Sequence, residues 1–96
     1  MEQLQRIRDM EAALDAAAAA LAALDGALET YLALRPRLEA LTAYYEGPLW
    51  MQDFRDDEAG KLPPGLKRGV LSEDAVYDLL ADHAALLERL RALPEL

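Results

Sequence analysis

The chain has 96 residues, of which 53% are hydrophobic, and 18 acidic against 10 basic side chains leave a net charge of −8. That length suits one small helical domain covering 1–96, and the absence of cysteine excludes a disulfide framework and thiolate metal sites. No basic face tracks a phosphate backbone, so nucleic acid is not an expected partner.

The acidic surplus sits in the outer parts: 4 basic and 8 acidic residues in 1–46, 4 and 4 in 47–71, 2 and 6 in 72–96. Such a balance serves solubility, or a basic partner. The first residues, MEQLQRIRDMEAAL, are charged from Glu2 onward and lack the pattern of a signal peptide. The longest uncharged run in the first half, Ala16 to Leu24, has nine residues, against roughly 20 for a membrane span. The expectation is a cytoplasmic protein with no membrane contact.

Residues 2–34 repeat every seven. Ile7, Leu14, Leu21 and Leu28 form one series, and Met10, Ala17, Leu24 and Tyr31 a second, three residues later. That is the a/d seam of a coiled coil, widened by Leu4 and Leu32. Ala16 to Ala20 are five consecutive alanines. They serve helix formation, and they also permit a close helix–helix contact centred near Ala17. Gly26 lies off the seam and should cost about 1 kcal/mol relative to alanine. The sevenfold spacing continues through Pro36 to Leu38 and Tyr45, which predicts one long helix over about 2–46, kinked at Pro36. The alternative is two helices broken at Leu34–Pro36.

Glu46-Gly47-Pro48 ends that helix, with Gly47 expected in the left-handed position after it and Pro48 opening the next. A short helix follows over about 48–58, with Trp50 and Phe54 on one face, and Gly60 stops it. Residues 60–71 contain Pro63-Pro64-Gly65 and are not helical. Leu62, Leu66, Val70 and Leu71 predict an ordered loop packed on the helices. Ser72 is read as the N-cap of a last helix over about 73–92, with Glu73 and Asp74 complementing its dipole. Its apolar stripe is Val76, Leu79, Leu80, His83, Leu87 and Leu90. The predicted fold is all-α. The long helix is packed antiparallel on the C-terminal helix, and the short helix and ordered Pro/Gly loop lie between them. The longer helix outruns the shorter, so part of its seam has no intrachain partner. A two-fold homodimer, or another protein, would cover it.

The blocks Gly60-Lys61-Leu62-Pro63 and Leu66-Lys67-Arg68-Gly69-Val70-Leu71-Ser72-Glu73-Asp74-Ala75-Val76-Tyr77 resemble a known family. So do Tyr44-Tyr45, Trp50 and Asp56-Asp57-Glu58. It is a small bacterial all-helical family, domain of unknown function 4298, and the similarity covers essentially the whole chain. The alanine run departs from it, where the family carries more Glu and Lys. The resemblance implies a small bacterial helical protein and no assigned reaction, cofactor or site residue.

Four constellations could carry chemistry. Asp53, Asp56, Asp57 and Glu58 could meet a hard cation, but no calcium-loop pattern is present, and a solvated face paired with Lys61, Lys67 and Arg68 is the plainer reading. Lys67 and Arg68 precede a helix N-terminus and could hold an anion, although Glu73 and Asp74 would repel it. His83 is the one histidine. Neither Thr30, Thr42 nor Ser72 is placed beside it as a nucleophile, so it reads as a half-buried histidine and no catalytic set is expected. Tyr44, Tyr45, Trp50, Phe54 and Tyr77 form either a second small core at the corner or an exposed interaction surface. The reading is a non-catalytic protein–protein interaction or assembly module without cofactor or metal. The alternative is a small-ligand or anion-binding protein, or an enzyme, with a pocket at the aromatic corner.

Overall fold

The computed structural model of the protein describes residues 2–94. It is all-α: α1 spans Glu2–Glu46, α2 Pro48–Glu58 and α3 Ala75–Arg91, with a 3-10 turn at Gly69–Leu71. No strand occurs among the described residues. The chain groups into two compact units, Met1–Arg37 and Leu38–Leu96.

The helix of the first unit stands on local interactions. Residues 2–30 are all exposed, and α1 contributes no buried residue. Alanine at 16–20 loses no rotamer freedom on entering the helix. Gln5 Nε2 donates to Asp9 Oδ1 at 2.8 Å, one turn on, and Thr30 Oγ1 donates to the Gly26 carbonyl at 3.1 Å. Space around Gly26 is open, so its cost is one of backbone freedom alone. The helix continues through Pro36. Of the two sequence readings, the break at Leu34–Pro36 is the one not realised. Proline there removes a single N–H, the donor that would have met the Leu32 carbonyl.

The core of the second unit is small and lies where α2, the 3-10 turn and α3 meet. Trp50 of α2 is 8% exposed, Leu71 of the turn 6% and Val76 of α3 3%. Both α2 and α3 pack against the turn, but of the four apolar residues expected to pack the loop only Leu71 is buried and Leu62 partly so, while Leu66 and Val70 stay exposed. On α3, reduced exposure follows one face, Val76, Leu80, His83 and Leu87, spaced by threes and fours as a packed helix face should be. Leu79, Leu86 and Leu90 remain exposed. On α1 reduced exposure is confined to Tyr31, Leu38, Leu41, Thr42, Tyr44 and Tyr45. The leucine seam before Tyr31 is thus left unburied. Among the described residues, the antiparallel packing of α1 on α3 expected from the sequence is not among the element contacts, which join α2 and α3 to the 3-10 turn.

Two local expectations need correction, the conformation of Gly47 and the start of the last helix. Gly47 is not left-handed: it has φ −92° and ψ 177°. A residue before proline is driven to extended backbone, and Pro48 opens α2. Gly47 is required for a different reason, because a Cβ there would sit 3.0 Å from the Ala43 carbonyl oxygen. The left-handed residue is Gly60, at φ +72°. Its N–H bonds the Asp57 carbonyl, and the next N–H, of Lys61, bonds the Asp56 carbonyl, both at 3.0 Å. This is a complete Schellman closure of α2. The last helix begins at Ala75, not 73, because Gly69–Leu71 winds as a separate 3-10 turn. The N-cap is accordingly Asp74, which makes no side-chain cap hydrogen bond, and not Ser72. Ser72 bridges the two turns instead, its Oγ accepting from the Ala75 N–H at 3.2 Å while donating to the Gly69 carbonyl at 2.9 Å.

Candidate functional site

The aromatic corner is a stacked core rather than an open surface. Gly47 and Pro48 reverse the chain between α1 and α2, which brings Tyr45 to Trp50 edge-on, with ring centroids 5.2 Å apart and planes at 73°. Trp50 and Phe54, one helical turn apart, stack at 5.2 Å with planes 17° apart. The Trp50 indole N–H donates to the Val70 carbonyl at 2.8 Å, which satisfies the polar edge that a buried tryptophan must pair. Tyr44 joins through its hydroxyl, which donates to Asp53 Oδ2 at 2.6 Å. Its phenol is pushed up to about 12, first by burial, then by the hydrogen bond to Asp53 and the carboxylate charge. Tyr77 stands apart from the other four: it is 63% exposed, because it follows the buried Val76 and so points off the packed face of α3.

Two of the loop's three cations are engaged with carboxylates of α2. Arg68 Nη1 donates to Asp57 Oδ1 at 2.7 Å with both side chains partly buried, and Lys61 lies 4.0 Å from Asp56. Lys67 is exposed. The two cations proposed for an anion therefore split, Arg68 holding the loop to α2 and Lys67 facing solvent. Among the described residues, no three His, Cys, Asp or Glu side chains converge to hold a metal ion. Asp53, Asp56 and Asp57 each turn toward a different partner, Tyr44, Lys61 and Arg68. His83 is half-buried in the α3 stripe.

An apolar seam of α1 is exposed. Leu4, Ile7, Met10, Leu14, Leu21, Leu24, Leu28 and Leu32 are each between 45% and 66% exposed. By length and composition alone, this helix is also long and apolar enough to cross a membrane.

These features define a small all-α chain with an aromatic core closed by a loop and a long helix that keeps its apolar seam in solvent. The family model described as Domain of unknown function (DUF4298) matches residues 7–93, and the chain belongs to that family. No curated protein and no solved structure matches it.

Proposed function

We propose that the protein is a non-catalytic helical assembly module that associates with a second copy of itself through the seam of α1. The observation that carries this reading is the run of eight large apolar side chains on α1, all at least 45% exposed. Singly exposed leucines are ordinary, but a contiguous apolar stripe marks an interaction surface. The sevenfold spacing suits another helix rather than a groove or a small ligand. Covering what remains exposed is worth about 1 kcal/mol per side chain. Over the two seams of a pair, that exceeds much of the ~4–15 kcal/mol cost of association.

An aqueous role for α1 fits better than a span, because Asp15, Asp25 and Glu29 interrupt its apolar half and each costs about 2.5–3.5 kcal/mol at a bilayer centre. A pocket at the corner is the weaker reading: Trp50, Phe54 and Arg68, which would line it, are already stacked, hydrogen-bonded or ion-paired.

Sedimentation equilibrium tests the proposal. The wild-type chain should show about twice its 10.6 kDa mass at micromolar concentration. Leu21→Glu should reduce it to the monomer mass, whereas Leu86→Glu, at an exposed leucine of α3, should not. A wild-type monomer throughout the range would overturn it.

A further inference from the structure

We propose that two copies of α1 pair antiparallel, in the register that sets Ala17 against Leu21 and Leu14 against Leu24 of the second copy. This rests on the reading of α1 as a self-association surface and gives it a geometry. The seam contains seven large side chains and one small one, Ala17, near its middle. In a parallel pair, equivalent positions face each other, so Ala17 would face Ala17 and leave a hole between the Leu14 and Leu21 layers. Close packing penalises such a void. In an antiparallel pair, the series beginning at Ile7 faces the series beginning at Met10. Ala17 then receives Leu21, Leu14 meets Leu24, Met10 meets Leu28, and Ile7 reaches Tyr31.

This register pairs all eight seam positions from Ile7 to Tyr31. A slip of one heptad toward the N-terminus leaves Leu28 and Tyr31 without a seam partner, and a slip toward the C-terminus sets Met10 against Arg35 and Ile7 against the partly buried Leu38. The flanking positions agree. Ala18 faces its own copy on one side of the two-fold axis and Ala20 on the other, with Ala13 beside Ala27. Small side chains there let the backbones approach closely at the centre, and opposed helix dipoles favour the arrangement. The charge pattern opposes it weakly, since Glu11 lies toward Asp25, but both carboxylates are exposed and screened. The overlap pairs residue 2 with residue 36. It therefore covers the exposed stretch 2–30, reaches Tyr31, the first residue of reduced exposure on α1, and ends before Leu38. Roughly 1,500 Å² would be buried in total, the size of a standard specific interface.

The chain contains no cysteine, so introduced thiols report without background. Full-length Leu14→Cys and Leu24→Cys chains should each give little disulfide-linked dimer when oxidised alone. Mixed and re-equilibrated, they should give a cross-linked heterodimer approaching half the material. Ala20→Cys, a substitution that spares the leucines, should cross-link on its own, because its two copies meet beside the axis. Efficient self-linking of Leu14→Cys and of Leu24→Cys would show a parallel pair and overturn the register. Absence of linkage at all three sites in a chain of dimer mass would also overturn it, leaving association intact. A monomer mass for the wild-type chain would remove both readings together.

Discussion

Tyr44 shows how one side chain ties the end of α1 to α2. Its hydroxyl donates to Asp53 across the Gly47-Pro48 corner, and the phenol is raised from 10.0 to about 12. A raised phenol means that the folded state favours the neutral form. The contribution is therefore complete below pH 10 and is lost as pH rises toward 12. A phenolate absorbance titration of the wild-type chain, minus that of Tyr44→Phe, should isolate a step near pH 12. Asp53→Asn should move it only partway down, because burial is the larger cause. A difference step at pH 10 would show the contact is not made in solution. That Trp50 and Phe54 share a helix face was legible in their spacing of four, but whether the corner was core or exposed surface was not. Nor was the Tyr44–Asp53 pair. Asp53 read as one of four acidic residues, and its partner lies nine positions back, brought near only by the corner's backbone.

Among elements, helix existence was written in periodicity and the ends were less so. The α2 boundaries coincide with those expected because proline can open a helix and left-handed glycine can close one. Gly60 stops α2 as expected, whereas Gly47 was misread, since residue type does not show that Pro48 dictates its conformation. The closure makes a specific demand on Gly60. Its surroundings are open, so a methyl group there meets no neighbour, and the cost of Gly60→Ala is the left-handed backbone alone, about 1–2 kcal/mol. Gly65→Ala, also in open space and without a positive φ, should be nearly neutral. Urea unfolding followed by Trp50 fluorescence checks both; equal midpoints for the two variants would mean that the Schellman closure contributes nothing. The start of α3 was misplaced because Ser72 serves two turns at once, an economy that residue type does not reveal.

Across the whole molecule, the two units are held by different means, and this should be visible in their unfolding. The second unit has a buried tryptophan, a satisfied indole and an internal ion pair. The first has a helix with no buried residue. An isolated helix in water is marginal even when alanine-rich, so the stability of this segment should come from association and follow mass action. The seam's spacing was plain in the sequence. What it could not give was that every described residue of α1 before Tyr31 stays exposed. Far-ultraviolet circular dichroism is dominated by α1, whose 45 residues exceed the 11 and 17 of α2 and α3. Trp50 fluorescence reports only the second unit. On thermal unfolding the dichroism midpoint should rise by several degrees for a tenfold increase in chain concentration, while the fluorescence midpoint moves little. Leu21→Glu should abolish the concentration dependence and leave the Trp50 transition in place. Coincident, concentration-independent transitions would instead mean that one cooperative unit spans the whole chain, with the long helix stabilised without a partner.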